Sequence, residues 1–388
     1  MTREITDLGL IESEDRFAKI TDDAIASLLR LRGVPITNMV EPWCYDASRD
    51  NIRHFAYGIG DDNPLWSDPA YAEGTKYGTI VAPPSFVLAL NRILSGYVGG
   101  LPGVHAMWAG ADLVWHRPIL QDTKVVASAH LKDLVEHKTR FADRAFQQIY
   151  HVELSTIAGE LLCSGESWCF RTERDTAREL GTKYKDEGTS EETSYSDADL
   201  RQIYDLYDSE IIRGAEARYF EDVEVGDELP TMAKGPMTVT GFIAFAQGWG
   251  GLYIRANKLA YEQLKRHPDL GIRNSQGIPD VPERVHWEHD LAVAVGPLGA
   301  YDYGPERCSW LIHHLTNWFG DDGFLSRHTS QIRHHNIVGD WIRINGIVSE
   351  KGIDSDGRNY IIVEQTAHNQ HGDLSAFGTG IVRLPTRS

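Results

Sequence analysis

Residues Val285-His286-Trp287-Glu288-His289-Asp290-Leu291-Ala292, with Tyr303-Gly304-Pro305-Glu306-Arg307 further along, bring together a histidine, nearby acids and a glycine. An unperturbed imidazole titrates near pH ~6.5, so it can take and return a proton close to neutrality. A glycine where a buried helix begins offers a backbone N–H to a developing oxyanion, with the helix dipole behind it. Together these are the parts needed to move a proton while holding a developing negative charge. No metal is expected at His286, His289 and Asp290.

An earlier stretch, Gly60 to Phe86, repeats the spacing without the chemistry. Trp66 stands opposite His286, Asp68 opposite Glu288, Ala72 opposite Ala292 and Pro84 opposite Gly304, with no gap between them. Proline has no N–H and tryptophan is not a general base. The first copy is therefore expected to be structural. A second anchor aligns Trp115-His116-Arg117-Pro118-Ile119-Leu120-Gln121-Asp122 on Arg333-His334-His335-Asn336-Ile337-Val338-Gly339-Asp340. A repeat of roughly 170 residues is too long for a solenoid and means a duplicated domain. Phe55 to Trp66 spans 11 residues and Phe245 to His286 spans 41, so the second copy carries an insertion of 30.

The elements that hold these residues follow from pattern. Thr21 to Gly33 is a capped short helix, and residues 49–56 form another. Residues 79–96 are apolar nearly all round and predict a long buried helix that starts at the paired prolines. From 104 to 172, β-branched and aromatic runs predict strands, hence a sheet curled around a helix. Between Asp186 and Glu210 nine acids face one base, Arg201, which predicts a solvated linker, partly helical around 198–212. The strand and turn at Glu221–Leu229 restart the pattern.

Hydrophobic content of 41% and charged content of 24% describe a soluble globular chain long enough for two cores. No run approaches the ~20 apolar residues of a membrane helix. The N-terminus is charged, and four scattered cysteines suit reduced thiols, so a cytoplasmic protein is expected. A formal charge of -18 argues against nucleic acid as a partner. Against that field, Arg255, Lys258, Lys265, Arg266, His267 and Arg273 cluster in the insertion, as a phosphate-bearing carrier would require.

Gly60-Asp61-Asp62-Asn63-Pro64-Leu65-Trp66-Ser67-Asp68 resembles the G-D-x-N-P-x-H-x-D signature of the MaoC-like hydratases and dehydratases, with Trp66 at the histidine position. In the second half His286 takes that position, Glu288 the following acid and Gly304 the helix-start glycine, preceded by Tyr303 where the family has histidine. The family's aspartate position is Val281; the nearest acids are Asp280 and Glu283. The resemblance implies an α+β double hotdog fold: residues 1–172 an N-terminal hotdog domain without catalysis, 173–215 an acidic linker, and 216–388 a catalytic hotdog domain with an insertion at about 248–284.

It also implies a hydro-lyase acting reversibly on an enoyl or 3-hydroxyacyl thioester, with His286 as acid/base, Asp280 assisting, the Gly304 N–H on the thioester oxygen and Tyr303 as a second donor. Trp66, Pro84, Trp287, Arg255, Lys258 and Arg307 are the expected substrate contacts. Arg307, paired with a neighbouring acid, would equally close the pocket or cap the helix. Coenzyme A enters as part of the substrate, no other cofactor is implied, and a homodimer is expected. A lyase or isomerase on a non-thioester substrate, and a non-catalytic binding or partner-stabilising protein, remain open alternatives.

Overall fold

Side chains alternate between core and solvent along residues 105–172 and give four antiparallel strands: β1 (His105–Trp115), β2 (Val125–His137), β3 (Ala145–Thr156) and β4 (Leu161–Thr172). The second half adds β5 (Glu228–Lys234), a two-residue pair β6 (Ile272–Arg273) and β7 (Pro279–Asp280), then β8 (Phe324–Ile332), β9 (Ile342–Ile353), β10 (Asn359–Asn369) and β11 (Leu374–Arg383). This computed structural model describes residues 19–37, 40–102, 104–138, 144–173 and 194–387. Nine strands form one sheet in the order β2-β3-β4-β1-β8-β11-β10-β9-β5. The halves join where β1 pairs antiparallel with β8, Asp112 opposite Thr329, and Arg327 grips Asp112 through two bonds of 2.8 and 2.5 Å.

The second half wraps its part of the sheet around the helix Gly304–Phe319, whose side chains from Pro305 onward are all buried. The first half departs from the continuous helix predicted over 79–96. A 3-10 turn, Pro84–Phe86, leads into four helical residues, Val87–Leu90, and the helix breaks at Asn91 (φ −151°, ψ 125°). Asn91 Oδ1 accepts from the N–H groups of Ile93 and Leu94 at 2.9 and 3.0 Å. A side chain that caps the following turn in this way competes with the helix it interrupts.

Two further helices, Arg49–Ile59 and Val239–Trp249, are capped by Ser48 and Thr238 and lie against each other. They meet glycine to glycine. A Cβ on Gly58 would sit 3.0 Å from the Ala244 carbonyl oxygen, and one on Gly248 would sit 2.5 Å from that of His54. Since Phe55 is the counterpart of Phe245, each glycine touches the partner helix at the matching place, as a twofold relation between the copies requires. Within the linker region, Asp197–Asp208 is a helix with a Ser196–Asp199 capping box, and Tyr195 and Tyr207 donate to the carbonyls of Gly339 and Gly235. Asp186, Glu187, Glu191 and Glu192 lie outside the described residues. Among the described residues no helix is long and apolar enough to cross a membrane.

Candidate active site

A cavity of about 300 Å³ lies between the halves, walled by the inner side of β1, the start of Gly304–Phe319, the 3-10 turn Pro282–His286, and Leu252 and Tyr253 of the insertion. His286 ends that turn. Its Nδ1 is 2.7 Å from the Tyr301 carbonyl oxygen. A carbonyl can only accept, so in the neutral ring Nδ1 carries the proton and Nε2 the lone pair. No hydrogen bond reaches Nε2 among the described residues. The ring stacks on Tyr303 (centroids 3.7 Å apart) and meets the edge of Tyr301 (4.8 Å). Burial pulls the imidazole pKa down to about 4; the Tyr301 carbonyl opposes this, and the Arg307 charge adds to it. The ring is neutral at pH 7 and is able to act as a base.

Gly304 opens the long helix beside it. A Cβ there would lie 2.7 Å from Trp108 Cε3, so glycine is required for the helix start to press against β1 of the other half. The N–H of Tyr303 is capped by Glu306 Oε2 at 3.4 Å, and Pro305 has none. That leaves the Gly304 N–H, at the positive end of a sixteen-residue helix, without a protein acceptor among the described residues. Tyr303 turns its hydroxyl away from this role and donates to Glu283 Oε1 at 3.3 Å.

Glu283 and Asp302 are the carboxylates among the residues that line the cavity. Glu283 accepts from the N–H of Leu252 at 3.1 Å and of Tyr253 at 2.8 Å, both supplied by the insertion. Burial raises its pKa, and those bonds, with the Tyr303 hydroxyl and the Arg92 charge, draw it back. Asp280 stands outside the cavity lining, bonded to its neighbour Val281 N–H at 2.7 Å and 3.6 Å from Arg284 Nε. Arg307 lines the cavity, but its guanidinium is held by Asp302 at 2.9 Å, by Ser375 and by the His334 carbonyl. Burial raises the Asp302 pKa to about 6 in spite of that cation.

Trp287, Arg255 and Lys258 do not line the cavity. Lys258 is exposed on the helix Asn257–Arg266, and Arg255 donates to the carbonyl of Ile254.

Trp66 and Pro84 lie elsewhere, in a second cavity of about 50 Å³ that Phe324 and Leu325 of β8 help to close. Here too a 3-10 turn, Pro64–Trp66, precedes a short helix, Pro69–Glu73, capped by Asp68. Glu288 stands at the matching N-cap position of His289–Ala294 but makes no cap bond there, its carboxylate being taken by Arg284. Asp61 is buried next to the indole, 3.5 Å from His313 Nε2. Lys234 Nζ contacts His313 Nδ1 at 3.0 Å and the Gly60 carbonyl at 3.1 Å.

His335 also lines the larger cavity. Its place opposite Arg117 in the ungapped alignment was the available signal, because Arg117 lines the smaller one.

One sheet whose two halves meet at the β1–β8 seam, each half curling over a buried helix start, makes a double hotdog. Residues 35–159 match the family described as FAS1-like, dehydratase domain region. A UPF0336 protein of Saccharopolyspora erythraea is 30% identical over 128 residues, 32% of this chain and 79% of that protein. A second, from a Parafrankia species, is 28% identical over 141 residues, 34% of this chain and 87% of that protein. Among solved structures, a MaoC-like dehydratase superposes with a TM-score of 0.64 at 17% identity, covering 92% of this chain and 100% of that one. A MaoC domain protein dehydratase from Chloroflexus aurantiacus gives 0.56 at 11% identity, covering 92% and 96%. The chain belongs to the family of these UPF0336 proteins, and its first half carries the FAS1-like dehydratase domain region. The family match falls in the half that holds Trp66, whereas the solved structures follow the fold through both halves.

Proposed function

We propose that the protein is a hydro-lyase that adds water reversibly to the double bond of an enoyl thioester, with coenzyme A as the carrier. As the water oxygen bonds to C3, His286 Nε2 takes one of its protons. The π electrons move through C2 onto the thioester oxygen, which the Gly304 N–H and the helix dipole hold. The proton then passes from His286 to C2 and the thioester carbonyl re-forms, so one histidine serves both steps and ends as it began. Glu283 keeps the Tyr303 ring against His286, and Arg255 and Lys258 are assigned to the carrier's phosphates outside the cavity. Assembly as a homodimer belongs to the same proposal, as does the absence of any cofactor beyond the carrier.

One observation supports this above the others: an unbonded His286 Nε2 and an unbonded Gly304 N–H belong to residues that line one cavity. Turnover of a panel of trans-2-enoyl- and 3-hydroxyacyl-CoA thioesters tests it. Wild-type protein should hydrate or dehydrate at least one of them and His286→Ala should not; full activity in the variant would refute the assignment.

A further inference from the structure

The Glu283 carboxylate is already engaged by the N–H groups of Leu252 and Tyr253 and by the Tyr303 hydroxyl, and Asp302 by Arg307 and Asn336. Across Tyr301 from His286 stands a second imidazole. The His335 ring meets the edge of Tyr301 at 4.6 Å and 64°, and His286 meets the same ring at 4.8 Å and 68°. Both histidines line the cavity, and neither ring nitrogen of His335 has a hydrogen-bond partner among the described residues. Enclosed polar groups normally find partners. This one is left to face whatever enters the cavity.

The chain holds His335 from both sides. Its predecessor's carbonyl accepts from Arg307. On the other side, Asn336 donates through N and Nδ2 to Asp302 at 3.3 and 2.7 Å, while the Asp302 N–H returns a bond to the Asn336 carbonyl at 3.0 Å. Val338 N–H adds a bond to the Ala300 carbonyl at 2.8 Å. The residue is thus clamped to the segment that leads into Gly304, which fixes its position relative to the helix start.

The duplicated half makes the same point by contrast. Arg117, opposite His335, lines the small cavity but pairs with Glu160 at 2.6 Å on the exposed side. Pro118, opposite Asn336, has neither the N–H nor the amide that make the clamp. Positions 66 and 286, 84 and 304, and 117 and 335 all line their respective cavities, and only the second set is equipped for proton and charge handling.

We propose that His335 is a second catalytic residue of the His286 site, accepting a hydrogen bond from the attacking water and holding its oxygen over C3. The role rests on the hydration reaction proposed above. One water proton travels through His286 to C2; the other stays on the oxygen, bonded to His335, and becomes the proton of the product hydroxyl. His335 gains and loses nothing, and in the reverse direction it steadies the departing water. It must be neutral to accept, and burial, helped by the charges of Arg307, His334 and His286, draws its pKa down to about 3.

Steady-state kinetics with the thioester panel test this on wild-type protein, His335→Phe and His335→Asn. The phenyl ring keeps the packing on Tyr301 but cannot accept, so kcat should fall about 100-fold, with KM within about threefold. Asparagine restores an acceptor and should bring kcat back to within about tenfold of wild type, with the shape of the pH profile unchanged. Wild-type kcat in His335→Phe would show a packing role only and overturn the proposal. Equal losses in both variants with matching falls in Tm would overturn it as well. A wild-type protein silent on every thioester would remove the reaction and this role together, an outcome visible without any variant.

Discussion

The cavities at His286 and at Trp66 are framed by the same elements: a 3-10 turn, a short helix with an acid at its N-cap position, a buried helix start and the first residues of a strand from the other half. One holds about 300 Å³ and the other about 50 Å³. An indole and two prolines fill the smaller and remove its base and its N–H donor, whereas glycine, histidine and a 30-residue insertion open and roof the larger. The acid is divided the opposite way. Asp61 survives beside an indole instead of the cavity histidine, turned toward Lys234 and His313, and burial pushes its pKa up to about 7 despite the bond from the Asn63 N–H and the Lys234 charge. The framework is set by packing that both copies share, and the chemistry by a few side chains that they do not.

The sharpest way to break this comparison is to remove the ring at each site. His286→Ala should lower kcat by about 10³-fold with an unchanged melting curve. Trp66→Ala should leave kcat near wild type and cost about 3–5 kcal/mol of stability, measured by urea unfolding, because the indole is core. Carrying the first copy's residue into the second comes next. Gly304→Pro should cost about 10²–10³ in kcat through the lost N–H. Gly304→Ala, which keeps the N–H but crowds Trp108, isolates the steric part.

The two sites should also titrate with opposite sign. His286 is held below its unfolded pKa of ~6.5, so the unfolded chain binds more protons there and stability falls as pH drops from ~6.5 toward 4. Asp61 is held above its unfolded value, so the folded chain binds more protons and stability falls as pH rises through the Asp61 pKa of about 7. Asp61→Asn should flatten the second slope of Tm against pH and spare the first. Activity should stay level down to about pH 5 and decline only as His286 takes its proton. The smallest effect is expected at Asp280, which is 42% exposed: Asp280→Asn should change kcat by less than about twofold and stability by less than about 0.5 kcal/mol.

Much of this was legible in the sequence where the signal is local. Spacing alone paired Trp66 with His286 and Pro84 with Gly304, and Asp68 and Glu288 do stand at matching N-cap positions. The strands of residues 105–172 followed from their β-branched and aromatic runs. The broken helix at Asn91 was hidden because an apolar run reads as helix, and only the Asn91 bonds to Ile93 and Leu94 show the break. Glu283 could not be told from Asp280 because its donors, Leu252 and Tyr253, are some thirty residues away. His335 was hidden for a related reason, since its clamp depends on Asp302 and Arg307 from another part of the chain.

The seam between β1 and β8 has a kinetic consequence. Its paired residues, such as Asp112 and Thr329, are more than two hundred positions apart, so the seam closes only after each half has collected its own strands. Until then both strands present bare backbone edges, each a template for the wrong partner. Refolding at rising protein concentration should therefore lose yield to intermolecular pairing before either half loses its helices. A first half expressed alone keeps its β1 edge open, with a second copy of itself as the nearest substitute for β8.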